Sequence, residues 1–142
     1  MPLGSNRSVP QSTVIPELGY PDVAEAASWL CEAFGFTVRL RIGSHRVQLN
    51  VGDGAIVVTE LRGPVRPGDI AVGHSVMVRI DDVDEHHARA AGRGARILAP
   101  PNDHPYGERQ YTALDPGGHV WTFTQSIADV DPADWGGVPG RL

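Results

Sequence analysis

The chain has 142 residues, 41% of them hydrophobic, and a formal net charge of −5 from 12 Lys and Arg against 17 Asp and Glu. This length suits one globular domain with a sizeable core, and an acidic chain without a basic run is a poor partner for nucleic acid. No apolar run is long enough to cross a bilayer, the first residues lack the pattern of a secretory signal, and the single cysteine, Cys31, permits no internal disulfide. We therefore expect a cytoplasmic protein that binds neither membranes nor nucleic acid.

The chain divides into a leader, one domain and a tail. Residues 1–11 are rich in Pro, Ser, Gly and Asn, which predicts a disordered leader. The tail over 127–142 is expected to hold an acidic helical turn and to pack Trp135 against the domain. The domain, 12–126, consists of module one, a linker with two prolines, and module two, over 12–62, 63–72 and 73–126.

Module one has the order strand, helix and three strands. Asp22 is a favourable helix cap with Glu25 three residues later, and Gly35 ends the helix. Pro16 lies within the first strand, which favours an edge or irregular position because proline has no N–H to donate. The four strands are predicted over 13–20, 36–42, 46–51 and 55–61.

Module two repeats this order at an offset of 60 residues. Asp82 and Glu85 repeat the cap of Asp22 and Glu25, and Gly92 ends the helix. Such internal repetition indicates two related structural units. Strands are predicted over 74–80 and 95–99, a loop over 100–107, and a β-hairpin over 110–124 that turns at Asp115-Pro116-Gly117-Gly118.

Three stretches carry a resemblance to a known family. They are DVAEAASWLCEAFGF, RIDDVDEHHARAAGRGARI and YGERQYTALDPGGHVWTF, over 22–36, 79–97 and 106–123. They are similar to the first-module helix, the second-module strand and helix, and the closing strands of the vicinal oxygen chelate superfamily, which includes glyoxalase I, bleomycin-resistance proteins and extradiol dioxygenases. The resemblance spans roughly Val14 to Gln125. It implies an α+β fold in which two tandem βαβββ modules form a curved mixed sheet around a concave cavity, with the helices on the outer face.

The resemblance also implies where a divalent metal would bind. Metal-dependent relatives place one ligand, usually His, Glu or Gln, on the first strand and one on the last strand of each module. Of the residues that can occupy these positions, only Glu60 would be a ligand of the usual kind. His74 is next to one of the positions, but strand parity turns its side chain to the helix-covered face. We therefore predict no metal and no other cofactor. The four positions map to Ile15, to Val58 or Glu60, to Ser75 and to Thr122.

Without a metal, the concave face is predicted to be a ligand-binding trough, because it combines acids, hydroxyls, arginines, an aromatic ring and a methionine. The alternative is that the acids and arginines pair with each other in a solvated groove that binds nothing. Val57, Trp121 and Phe123 are expected to face the helices as core. The predicted binding residues are Glu17, Glu60, Ser75, Met77, Arg79, Arg109, Tyr111 and Thr122, with Ile15, Val58, Ala113 and Thr124 on the same face.

Three functions remain open at this point. The first is a metal-independent binding protein, similar to the bleomycin-resistance branch, for a small aromatic or cationic ligand; the acidic net charge favours a cation, and the resemblance implies a homodimer. The second is a glyoxalase-like lyase or isomerase or a dioxygenase, which needs a metal to polarise or chelate its substrate. The third is a regulatory protein that pairs through its sheet edges. We favour the first, and the sequence leaves open whether any reaction is catalysed.

Overall fold

The computed structural model describes residues 6–61, 63 and 73–140. The linker predicted over 63–72 lies, apart from Gly63, outside the described residues. No helix in the described ranges is long and apolar enough to cross a membrane. The elements are β1 (Glu17–Tyr20), α1 (Val23–Phe34), β2 (Thr37–Ile42), β3 (Arg46–Val51), β4 (Gly54–Glu60), β5 (Val76–Arg79), α2 (Val83–Gly92), β6 (Arg96–His104), β7 (Glu108–Leu114), β8 (Val120–Ser126) and a short 3₁₀ helix (Pro132–Trp135).

The strands form two four-stranded sheets, one from each module. Sheet A has the order β1-β4-β3-β2 and sheet B the order β5-β8-β7-β6. In each sheet the first strand of the module pairs in parallel with the last, and the other pairs are antiparallel. Helix α1 packs on sheet A, α2 packs on sheet B, and the two helices contact each other. The predicted α+β fold of two tandem βαβββ modules is confirmed.

Local sequence explains where the helices begin and end. The Asp22 side chain accepts a hydrogen bond from the backbone N–H of Glu25 at 3.0 Å, and Asp82 accepts one from Glu85 at 3.1 Å. These bonds satisfy N–H groups that have no partner within the first helical turn. Gly35 ends α1 with a φ of 80°, a left-handed conformation in which a side chain would be strained.

The strands differ from the prediction in two places. β1 begins at Glu17 rather than at residue 13, and it is an edge strand, as Pro16 indicated. The loop predicted over 100–107 is shortened to a turn at 105–107, because β6 continues to His104 and pairs with β7 beyond Pro100 and Pro101. The pairing is irregular across these prolines, which lack an N–H to donate, and it is regular again from Asn102 to His104.

The two modules share one aromatic core. The Phe34 ring, at the end of α1, lies 5.5 Å from Trp121 and 4.7 Å from Phe123 of sheet B, measured between ring centroids. The helix ends are also hydrogen-bonded across the modules, since Arg89 Nε donates to the Glu32 carbonyl at 2.8 Å. The end of α1 in module one therefore completes the core that α2 forms with sheet B.

The carboxylate of Asp115, at the hairpin turn, joins the modules at a second point. It is 5% exposed. Its Oδ1 accepts from the backbone N–H groups of Gly117 and His119, at 2.9 and 3.0 Å. Its Oδ2 accepts from the Tyr20 hydroxyl of β1 at 2.5 Å and from Trp121 Nε1 at 3.0 Å. One side chain thus shapes the turn and holds β1 against β8.

Asp115→Ala is expected to lower the free energy of unfolding by about 3–5 kcal/mol, because it leaves several buried donors without an acceptor. Tyr20→Phe is the matched control, since it removes a single hydrogen bond and is expected to cost about 1–2 kcal/mol. Urea unfolding monitored by circular dichroism measures both. Equal losses in the two variants would contradict the role of Asp115 as a shared acceptor.

His86 is a titratable group within the shared core. Its Nε2 lies 3.0 Å from the Phe34 carbonyl and its Nδ1 lies 2.5 Å from the Tyr111 hydroxyl. Burial raises the pKa of Tyr111, so that hydroxyl stays protonated and donates to Nδ1, while Nε2–H donates to Phe34. Burial also lowers the pKa of His86, and the nearby Arg89 guanidinium lowers it further, against the opposing effect of the Phe34 carbonyl. His86 is therefore a neutral imidazole in the folded chain.

The depressed pKa of His86 predicts that the folded state loses stability in acid. The unfolded histidine takes up a proton as the pH falls through about 6.5, whereas the folded one does so only at lower pH, so the free energy of unfolding falls below about pH 6.5. In His86→Gln, which retains an amide donor for Phe34, the loss between pH 7.5 and pH 5.5 should be smaller than in the unaltered chain. An identical loss in both proteins would refute the assignment to His86.

Candidate ligand-binding face

Strand register divides sheet B into a face under α2 and a helix-free face. Thr122 of β8 pairs with Met77 and with Thr112, and Thr124 pairs with Arg79 and with Gln110, so these side chains share one face. The residues that alternate with them are core. This helix-free face of sheet B carries the predicted residues Met77, Arg79 and Thr122, and Ser75 precedes Met77 with the same parity.

The polar groups on the helix-free face of sheet B are hydrogen-bonded to one another. The Tyr106 hydroxyl donates to Gln110 Oε1 at 3.0 Å, and the Thr112 and Thr122 hydroxyls lie 3.1 Å apart. Met77, in the same row, is 62% exposed. The hydrogen bonds among its own side chains therefore hold this face in place, and the apolar side chain of Met77 is exposed to solvent on it. The remaining bonds join Gln110 to Thr124 at 3.1 Å, Thr124 to Glu108 at 2.7 Å and Arg79 to Ser126 at 2.6 Å.

Glu108 is the acid of this face, and sequence reasoning missed it. Hydrogen bonds from the hydroxyls of Ser126 and Thr124 lower the pKa of Glu108, and the positive charge of Arg79 lowers it further. Its carboxylate is therefore ionised at neutral pH. A signal was present in the sequence, because polar residues at 108, 110 and 112 alternate with the apolar Tyr111 and Ala113.

Two predicted lining residues lie on the opposite face of sheet B. Tyr111 pairs with Phe123 under α2 and is 1% exposed, with its hydroxyl on His86. Arg109 forms ion pairs with Asp84 of α2 and Asp103 of β6, each at 2.9 Å. Their placement in the trough is wrong because a one-residue change of register moves a side chain to the other face. Ala113 lies in the core for the same reason.

The predicted register of a strand is also off by one residue in sheet A. Val57 pairs with Glu17 and Gln48 on the helix-free face, so its predicted position under the helix is wrong. Val58 pairs with Leu18 in the core and is fully buried, which overturns its predicted place in the trough. Glu60 has the parity of Val58, so it does not share the face of Glu17 either, although it is exposed at the strand end.

Glu17 and Glu60 are nevertheless close to one cavity. Glu17 is ion-paired with Arg46. Both acids line a cavity of about 330 Å³ with Gly19, Thr59, Leu61, His74 and His119. His74, predicted to lie under a helix, is exposed, and its ring centroid is 5.9 Å from that of His119. The predicted site residues are thus divided among this cavity, the helix-free face of sheet B and the opposite face of that sheet, under α2.

The helix-free face of sheet A is covered by the chain itself. Gln48 Nε2 donates to the Ser8 carbonyl at 2.8 Å, and Arg39 Nη2 donates to the carbonyls of Arg7 and Val9 at 3.2 Å each. Gln48 and Val57 are each only 3% exposed. Residues 7–9 therefore have a defined place, in contrast with the disordered leader predicted over 1–11. The helix-free faces of the two sheets differ: that of sheet A is covered and that of sheet B is open.

The register also corrects the metal positions. Glu17 and Met77 are equivalent by the 60-residue offset, and they pair with Val57 and Thr122, so the module-one position is Val57 rather than Val58 or Glu60. Among the described residues, no group of three or more His, Cys, Asp and Glu side chains is placed to hold a metal ion. The four positions, Ile15, Val57, Ser75 and Thr122, offer two hydrocarbon side chains and two hydroxyls, which do not fit a divalent metal.

Comparisons with known proteins agree with this architecture. A family model described as Glyoxalase/Bleomycin resistance protein/Dioxygenase superfamily matches residues 14–123. The crystal structure of TioX from Micromonospora sp. ML1 is 37% identical, with 84% of this chain and 100% of that chain covered and a TM-score of 0.67. A glyoxalase-related enzyme from Fulvimarina pelagi, 17% identical over 82% of this chain and 88% of that chain, has a TM-score of 0.67 and shows the fold alone.

Relatives among curated proteins are more distant. An uncharacterized protein of Mycobacterium tuberculosis is 28% identical over 92 residues, which is 65% of this chain and 53% of that protein. An uncharacterized protein of Mycobacterium bovis is also 28% identical over 92 residues, which is 65% of this chain and 59% of that protein. The chain thus spans little more than half the length of these relatives. The extent of the family match and the likeness to TioX establish that the chain belongs to the glyoxalase/bleomycin resistance protein/dioxygenase superfamily.

Proposed function

We propose that this protein is a metal-independent small-molecule binding protein whose ligand lies on the helix-free face of sheet B. The observation that carries the proposal is the open, hydrogen-bonded row on that face, in which Met77 is 62% exposed beside Thr122 and Arg79. An exposed apolar side chain among ordered polar groups is typical of a small-ligand surface. The equivalent face of sheet A is covered by residues 7–9.

The donor set supports metal independence. A Lewis-acid site needs side chains that give up lone pairs to a divalent ion, and Ile15 and Val57 have none to give. Thr122 Oγ1 lies 3.1 Å from Thr112 Oγ1, so its hydroxyl takes part in a contact within the sheet. This chemistry favours a binding protein over a metal-dependent lyase, isomerase or dioxygenase.

The charge of the protein supports the cationic member of the predicted ligand class, aromatic or cationic small molecules. The net charge is −5, and Glu108 at the end of the face is ionised because hydroxyl groups lower its pKa. A negative surface attracts cations to the site.

A homodimer and a cytoplasmic location remain predictions. Light scattering of the purified protein measures its mass in solution and so tests the homodimer.

Purified protein is expected to contain no stoichiometric metal and to show no rise in melting temperature with Zn²⁺, Ni²⁺, Mn²⁺ or Fe²⁺. A site loaded at 100 times its Kd would add about 2.7 kcal/mol to the free energy of unfolding, a shift that thermal denaturation resolves easily. His74→Ala is the control for adventitious binding at an exposed histidine. Stoichiometric metal in both proteins would overturn metal independence and favour the enzyme.

A screen of aromatic and cationic compounds by thermal shift is expected to yield ligands whose affinity depends on the helix-free face of sheet B. Met77→Ala should weaken such a ligand about tenfold, which corresponds to about 1.4 kcal/mol, because it removes the exposed apolar contact of the face. Val38→Ala is the matched control, since Val38 is an exposed apolar residue of an edge strand in the other sheet, β2 of sheet A. Equal effects of both substitutions on calorimetric affinity would move the site elsewhere.

A further inference from the structure

The tail builds a second feature at the end of sheet B, a cavity of about 450 Å³ that is referred to below as the tail cavity. Its volume is within the range of small-ligand sites. It adjoins the helix-free face of sheet B through Glu108 and Ser126. The tail cavity is lined by Tyr106, Glu108, Ser126, Ala128, Asp129, Val130 and Trp135.

The outer wall of the tail cavity is held against the domain by backbone contacts. The Gly107 carbonyl accepts from the N–H of Ile127 at 2.8 Å and from that of Ala128 at 3.2 Å. Gly107 has a φ of 85°, and a Cβ at this position would lie 2.1 Å from the Ala128 carbonyl oxygen. Only glycine permits this approach. The start of the tail is therefore seated at one fixed place.

An aromatic contact fixes the far end of the same wall. The Trp135 ring meets the Tyr106 ring edge-to-face, with centroids 5.5 Å apart, as the sequence predicted for a tail tryptophan. The Asp131 side chain caps the short 3₁₀ helix by accepting from Ala133 N–H at 3.0 Å. Trp135 remains 44% exposed, so the contact with Tyr106 leaves much of the indole accessible.

The described residues that line the tail cavity include two carboxylates and no cationic side chain. Glu108 and Asp129 are its two carboxylates. In the described part of the chain, no cationic side chain forms an ion pair with either of them. Arg79 is the cation near Glu108, and its Nη1 donates instead to Ser126 Oγ at 2.6 Å. Carboxylates beside accessible aromatic rings are the groups that attract organic cations, which combine positive charge with apolar surface.

We propose that the tail cavity binds an organic cation of the alkylammonium class, with the charge met by Glu108 and Asp129 and the alkyl groups by Tyr106 and Trp135. This rests on the proposed function, since the tail cavity would hold the cationic end of a ligand on the helix-free face of sheet B.

Choline chloride is the probe, and its neutral isostere 3,3-dimethylbutan-1-ol is the control ligand. Titration of the full chain, at ionic strength held constant with KCl, is expected to change tryptophan emission with a Kd on the order of 1 mM for choline. The neutral isostere should have no saturating effect, because it lacks the charge that the carboxylates recognise. An equal response to both compounds would overturn the proposal.

Variants locate the cation. Glu108→Gln and Trp135→Leu are each expected to weaken choline binding about tenfold in calorimetry. Glu85→Gln, an exposed acid in the first turn of α2, is the matched control and should bind as the unaltered chain does. Gly107→Ala is strained at its positive φ and displaces the tail, so it should also abolish binding and melt at a lower temperature. Unchanged affinity in Glu108→Gln and Trp135→Leu would place the cation elsewhere and refute the inference.

The two proposals fail in different ways. If the protein binds ligands with an affinity that depends on Met77 but does not bind choline, the proposed function stands and the cation site is refuted. Choline binding that depends on Glu108 and Trp135, in a protein with stoichiometric metal, would establish the tail cavity and overturn metal independence.

Discussion

The structure depends on the buried carboxylate of Asp115, which accepts hydrogen bonds from both modules. Its oxygens accept two backbone N–H groups of the hairpin turn, the indole of Trp121 and the hydroxyl of Tyr20. A buried acceptor with several donors fixes geometry strongly, because each donor loses its partner if the carboxylate moves. The position of β8 against β1 follows from this, and so does the packing of Trp121 and Phe123 against the end of α1.

Once the modules are fixed, their helix-free faces differ although their folds match. On sheet A, Arg39 and Gln48 present N–H donors outward, and the carbonyls of residues 7–9 satisfy them. On sheet B, the hydroxyl, amide and carboxyl groups satisfy one another within the sheet. A face whose polar groups are already paired needs no covering segment, which leaves Met77 accessible. A few side chains on the repeated βαβββ fold therefore decide that this face is covered in sheet A and open in sheet B.

The side chains at the four metal-ligand positions limit the chemistry of this site. Where metal-dependent relatives would place strong donors, this chain has Ile15, Val57, Ser75 and Thr122. Hydrogen-bonding groups, charge and exposed apolar surface occur together on the helix-free face of sheet B and in the tail cavity beside it. Because Glu108 belongs to both surfaces, a ligand of moderate size would contact them together. The same framework can therefore support binding without the reactions that other members of the superfamily carry out.

The sequence by itself determined the features that local chemistry controls. The caps at Asp22 and Asp82, the end of α1 at Gly35 and the 60-residue repeat are all visible in the order of residues, because each depends on near neighbours. Only the tertiary structure decided which face each strand side chain occupies. Strand side chains alternate with a period of two, so a shift of one residue placed Tyr111 and Val57 on the wrong sides, and no local signal fixes that register. The cover over sheet A, the ion pairs of Arg109 and the contacts of Asp115 with Tyr20 and of Gly107 with the tail likewise join distant segments, and these contacts decide which face of the sheets stays open.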